Sequence, residues 1–158
     1  MVWAIKEKRR SMTWIMLILG HLVGDYLLQT EWMARNKVLN TIKGWWACLV
    51  HCSVYSIITS FFIISFHPSL NFGKIFFSLS CLIFLTHFPI DKTSFAKIWL
   101  KKVLGKVIEY PSPGTYFTTD MYLSYFLYWF VYIVADNTMH LILMVLGIKK
   151  FFPELIGG

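Results

Sequence analysis

At 158 residues the chain has the length of one domain, and 57% hydrophobic against 15% charged residues excludes an ordinary soluble globule. The net charge of +7 comes from basic clusters between apolar runs, where Lys and Arg meet anionic lipid head groups. It is not a nucleic-acid signature, and no nucleic-acid partner is expected.

The apolar runs predict an all-α integral membrane protein, a single domain over 1–158. It has about four transmembrane helices in a small bundle plus an amphipathic interfacial helix. MVWAIKEKRR followed by SMTWIMLILG has the profile of a signal peptide, but no A-x-A-like site follows. It reads as an uncleaved first membrane helix over about 11–29. TEWMARNKVLNTIKG then holds a short interfacial helix anchored by Trp32. A second span covers about 45–66 and opens on the pair Trp45-Trp46, and a third covers about 74–90. His67, before a proline, is a turn residue.

Residues 92–108 place Phe95, Ile98, Trp99, Val103, Val107 and Ile108 on one helical stripe. Lys97, Lys101, Lys102 and Lys106 stand opposite, as in a helix lying at the head-group plane and binding phosphate there. YPSPGTYFTTD breaks the helix, and a fourth span covers about 121–147. Counted by side, the Lys and Arg residues divide almost evenly, so the totals do not orient the chain. The first helix alone leans towards a cytoplasmic N-terminus.

Four of the five histidines and three of the four aspartates fall within or at the edge of these spans. Three His/Asp pairs are four residues apart: His21 with Asp25, His87 with Asp91, and Asp136 with His140. Random placement gives roughly a quarter of one such pair, and the spacing puts both members on one helix face. Imidazole and carboxylate on one face can close on a shared cation, and several such helices build a ligand cage.

The predicted ligands are therefore His21, Asp25, His51, His87, Asp91, Asp136 and His140, holding one or two divalent ions such as Zn or Mn. Asp25, His51 and Asp91 are the candidate catalytic groups. Alternating helix direction puts His21, Asp25, His51, His87 and Asp91 in one half of the bilayer. The same count leaves Asp136 near the middle and His140 deeper towards the other side. Gln29 continues the His21–Asp25 face and is expected to orient the Asp25 carboxylate, with Asn137 supporting Asp136. Gly24 leaves room for close helix approach. Cys48, Cys52 and Cys81 lie in apolar segments, odd in number, and read as packing residues rather than disulfides.

HLVGDYLLQTEWMARNK resembles the signature of an uncharacterised bacterial and phage integral-membrane family, a domain of unknown function, whose first helix reads H-x-x-G-D-[FY]-x-x-Q. LVHCSVYS, LTHFPIDK and VADNTMHL extend the resemblance over most of the chain, with Asp136-Asn137 standing where an Asp-Gln is expected. More distantly the pattern is similar to membrane-bound metal-dependent hydrolases, which implies the same seven polar residues as the site and a bacterial inner membrane as the location. Together these point to hydrolysis of a lipid or a lipid-linked phosphate or ester, with membrane lipids as partners. Ion or proton transport is the second expectation, although four helices give a pathway little wall unless the protein forms a homo-oligomer. A non-catalytic membrane protein with a structural His/Asp metal site is the third.

Overall fold

The computed structural model describes residues 2–67, 70–105 and 118–156, and every regular element among them is helical. Helix α1 covers Val2–Leu22 and passes directly into a π-helical turn, Val23–Leu27. The short α2 covers Glu31–Asn36, α3 Ile42–Ile64, α4 Phe72–Thr93, α5 Phe95–Leu104 and α6 Thr119–Phe151. Four of the helices open on a side chain suited to the task. Thr30, Thr41, Asn71 and Thr118 each accept from a backbone N–H three residues on, satisfying a donor the first turn leaves free.

Helices α3, α4 and α6 are long and apolar enough to cross a membrane. The sequence pattern placed a fourth span at the start, but α1 begins far earlier than residue 11 and its first half carries the KEKRR run. The basic segment also differs from expectation. Helix α4 runs on to Thr93, Ser94 takes a left-handed conformation with φ 50°, and α5 ends at Gly105 with φ 63°. Lys106, Val107 and Ile108 lie outside the described residues. Only Ala96 and Leu100 of α5 are buried, while Phe95, Ile98 and Val103 stay exposed with Lys97, Lys101 and Lys102. Of the predicted apolar stripe, Phe95, Ile98 and Val103 are thus largely exposed, while Trp99 is half-buried and lines a groove against α6 with Phe95.

Two glycines set the close contact of the first helix and its π turn with α3. A Cβ on Gly20 would lie 2.9 Å from Thr59 Cα, and one on Gly24 would lie 2.6 Å from the Tyr55 ring. Spaced four apart, they let α1 and the π turn press their backbones against α3, as small residues do between apolar helices. Gly44 plays the same part for the α2–α3 connection, where a Cβ would fall 2.0 Å from the Leu39 carbonyl oxygen.

The interior is layered along the helix axes. Leu17, Ile63, Ile64, Leu79, Ile83, Met144 and Ile148 form an apolar core, with Tyr55 at its boundary. One or more turns further along the same helices the buried residues become polar: His21, His51, His87, Asp91 and His140. At the opposite end His67 is buried rather than a free turn residue, its Nε2 lying 2.8 Å from Thr13 Oγ1.

Two outcomes follow from this packing. Gly24→Ala lowers the unfolding free energy in detergent by about 1–3 kcal/mol because Tyr55 must shift, whereas Gly73→Ala, with nothing near its added Cβ, does not lower it. Burial, and then the nearby Arg9 charge, lower the pKa of His67 below its ordinary 6.5. The unfolded chain therefore takes up the proton first. The contribution of His67 is complete above pH 6.5 and is lost as pH falls through the folded-state value. Thermal melts from pH 7.5 to 5 should show a larger loss for the native chain than for His67→Gln.

Candidate metal centre

Four elements converge on one buried point. The π turn brings Asp25, α3 brings His51, and α4 brings His87 and Asp91 on either side of Pro89. Helix α6 brings Asp136 and His140. A π turn widens the helix by a residue, and such turns recur at functional sites. Pro89 has no N–H to give the Leu85 carbonyl, so the α-helical ladder is relaxed between the two α4 ligands.

The donor atoms stand at the separations a common cation imposes. His51 Nε2 is 3.2 Å from Asp25 Oδ1 and 3.3 Å from His87 Nε2, and His87 Nε2 is 3.5 Å from Asp25 Oδ1. Asp91 Oδ2 lies 3.0 Å from His51 Nε2 and 3.3 Å from His87 Nε2. Ligand atoms about 2.0–2.2 Å from one tetrahedral ion stand about 3.3–3.6 Å apart, and adjacent octahedral ligands about 2.8–3.1 Å. Both carboxylates thus share the same pair of imidazoles.

A second group adjoins the first through Asp91. His140 Nε2 is 3.5 Å from Asp91 Oδ1 and 3.8 Å from Asp136 Oδ2. His140 is only 3% exposed, and neither of its ring nitrogens has a hydrogen-bond partner among the described residues. An unpaired buried imidazole facing two carboxylates is costly unless a cation or proton completes it. Cys52, His87 and Asp91 form a third compact group, with Cys52 Sγ 3.9 Å from Cys48 Sγ. These buried His and Asp groups can hold a metal ion.

Six of the seven expected ligands meet here, and His21 stands beside them. Its Nε2 donates to Asn137 Oδ1 at 2.7 Å and its Nδ1 accepts from the Tyr55 hydroxyl at 2.6 Å. Its Nδ1 is also 3.5 Å from Asp25 Oδ2, so His21 lies beside Asp25 without joining the compact groups. Asn137, expected to support Asp136, instead holds His21, Tyr26 and the Ile133 carbonyl. Gln29, oriented to satisfy its neighbours, donates to the Asp25 backbone carbonyl at 3.0 Å and accepts from Lys37 Nζ at 2.9 Å. It thus positions the Asp25 backbone, not the carboxylate. His140, expected deeper and apart, stacks on His87 at 3.9 Å. The sequence count misjudged its depth because α6 extends well beyond the bundle before it reaches the site.

Two participants escaped sequence reasoning. Tyr55 stacks on His87 at 3.7 Å and continues the ring stack to His140. Its signal was present, since it follows His51 by four residues on the same face of α3. Lys37 gave none, because a lysine in a basic turn looks like any other. Its Nζ donates to Asp91 Oδ2 at 2.8 Å and lies 3.4 Å from His51 Nε2. Burial works against its charge, but Asp91 outweighs burial and holds the ammonium above its ordinary range. The loop carrying it is pinned by Lys92, which donates to the Leu39 carbonyl at 2.7 Å and lies 4.4 Å over the Trp45 ring.

The chain belongs to a family described as a protein of unknown function, DUF3307, which matches residues 13–155. No curated protein and no solved structure matches it.

A divalent ion held by Asp91 would compete with Lys37 for the same oxygen. Lys37→Met should lower stability in chelator by about 3 kcal/mol, as expected when a buried charge loses its partner. Adding Zn or Mn should restore most of that loss, and metal titration should show tighter binding than in the native chain.

Proposed function

We propose that this member of the family is a membrane-embedded, metal-dependent hydrolase acting at the bilayer face on a lipid or lipid-linked phosphate or ester. The observation that carries the reading is the triangle of Asp25 Oδ1, His51 Nε2 and His87 Nε2, every side between 3.2 and 3.5 Å. Asp91 extends it with one oxygen towards His51 and His87 and the other towards His140. On this reading Asp25, His51, His87 and Asp91 hold one divalent ion, and Asp91, Asp136 and His140 hold a second. A divalent ion bound there lowers the pKa of its water and polarises a phosphoryl or carbonyl oxygen.

The protein's own groups divide the remaining work. Asp25 Oδ1 faces the imidazoles, which leaves Oδ2 to take a proton from the attacking water. His51 and Asp91 fix the ion and are too deeply placed to meet substrate directly. In this reading α1 with its π turn is the fourth span, its KEKRR run remaining at the membrane surface. The lysines of α5, Lys97, Lys101 and Lys102, lie in the head-group plane, and the location is a bacterial inner membrane. The resemblance to membrane-bound hydrolases supports the reaction class without fixing it.

A second reading is favoured by Lys37, whose ammonium already answers Asp91. In it the cluster is a structural lock between helices with no turnover.

Metal analysis of the purified chain separates the two. The native protein should carry one to two equivalents of divalent ion, Asp91→Ala should lose nearly all, and His140→Ala should lose one. Hydrolysis of a phospholipid or lipid-linked phosphate should fall at least a hundredfold in Asp25→Asn with metal retained. Absence of bound metal, or activity unchanged in Asp25→Asn, rules out the hydrolase. Full metal with no turnover of any lipid ester leaves the lock.

A further inference from the structure

The metal groups are buried, yet one cleft reaches them. A cavity of about 320 Å³ is lined by Asp25, Gln29, Lys37, Lys97, Tyr132 and Asp136, among others. This is the low end of the size range of small-molecule sites. Its inner end is formed by the two carboxylates of the cluster that are not sealed off. Asp25 and Asp136 side chains are 12% and 22% exposed, against 3% for Asp91.

Two cations flank this opening and arrive from different elements. Lys37 comes from the pinned α2–α3 loop and is also bonded to Asp91. Lys97 comes from α5 and lies 5.8 Å over the Trp129 ring and 5.5 Å over the Tyr132 ring of α6. Those rings hold the ammonium at the cleft wall without neutralising it, and among the described residues no carboxylate forms an ion pair with it. A basic helix facing only lipid and water would have no reason to aim one lysine over two aromatic rings towards a buried acidic cluster.

We infer that this cleft seats the phosphate of a phosphoester, held between Lys37 and Lys97 above the open edges of Asp25 and Asp136. The assignment rests on the metal reading, because without a bound cation the two carboxylates repel an anion. It narrows the substrate class from esters in general to phosphoesters, since a neutral carboxylic ester offers no opposite charge to the Lys97 ammonium. It also separates Lys97, which recognises substrate, from Lys101 and Lys102, which do not line the cleft.

The full chain, purified in mild detergent with its metal, tests this with three probes: a short-chain phosphatidic acid, the diacylglycerol lacking its phosphate, and glycerol phosphate. Calorimetry should show binding of the phosphatidic acid and at least about tenfold weaker binding of the diacylglycerol. Lys97→Gln, exposed and therefore able to fold, should weaken the phosphatidic acid by about tenfold, and Lys97→Arg should restore it. Lys149→Gln, at the far end of α6, should bind as the native chain does. Glycerol phosphate binding as tightly as phosphatidic acid assigns the cleft to a free phosphoester, and weaker binding assigns it to a lipid; either keeps the anion. Native-like binding by Lys97→Gln with metal still bound overturns the phosphoester assignment alone. A preparation that binds no divalent ion overturns the metal reading and this inference with it.

Discussion

Two carboxylates carried into an apolar interior are the constraint on which the rest depends. An isolated buried carboxylate is too costly to persist, so every helix that touches Asp25 or Asp91 must bring an answering group. His51, His87, His140 and Lys37 supply them from four separate segments, and all their contacts with Asp91 lie between 2.8 and 3.5 Å. Each of these groups would be costly alone. Together they specify one arrangement of α3, α4, α6 and the α2–α3 loop, because sliding any element by a turn would strand a charge.

The surroundings read as devices for holding that arrangement. Gly20 and Gly24 bring α1 close enough to α3 for His21 to reach Tyr55, and the ring stack of Tyr55, His87 and His140 fixes the imidazole planes. Lys92, next in sequence to Asp91, holds the carbonyls of the loop that delivers Lys37. One helix end therefore supplies both the deepest carboxylate and the clamp on its counter-charge. The apolar core below, from Leu17 to Ile148, packs the same helices by burial, while the polar layer fixes their register.

Burial is graded in a way that suits chemistry more than a simple lock. Asp91 is sealed, while Asp25 and Asp136 keep an edge on a cleft flanked by lysines from two elements. A lock gains nothing from an opening, since water there weakens every charge interaction. On the proposed reading this gradient would seat ions at the inner end and an anion at the outer one, with α5 as one wall of the cleft.

Much of this was legible from spacing. Three His/Asp pairs four apart identified five of the six residues that converge, because helical periodicity alone puts them on common faces. The apolar runs gave α3, α4 and α6, and the basic segment gave α5. What spacing could not supply was the direction in which each face points and the axial offset between helices. So His21 was grouped with the ligands although Tyr55 and Asn137 claim both its nitrogens, and His140 was placed too deep because the overhang of α6 is invisible in one dimension. Lys37 is the clearest case. Local chemistry made it one of fifteen basic residues. Only a loop pressed against Gly44 and tied by Lys92 turns its ammonium inwards, and such a contact between distant segments exists only once the chain has folded.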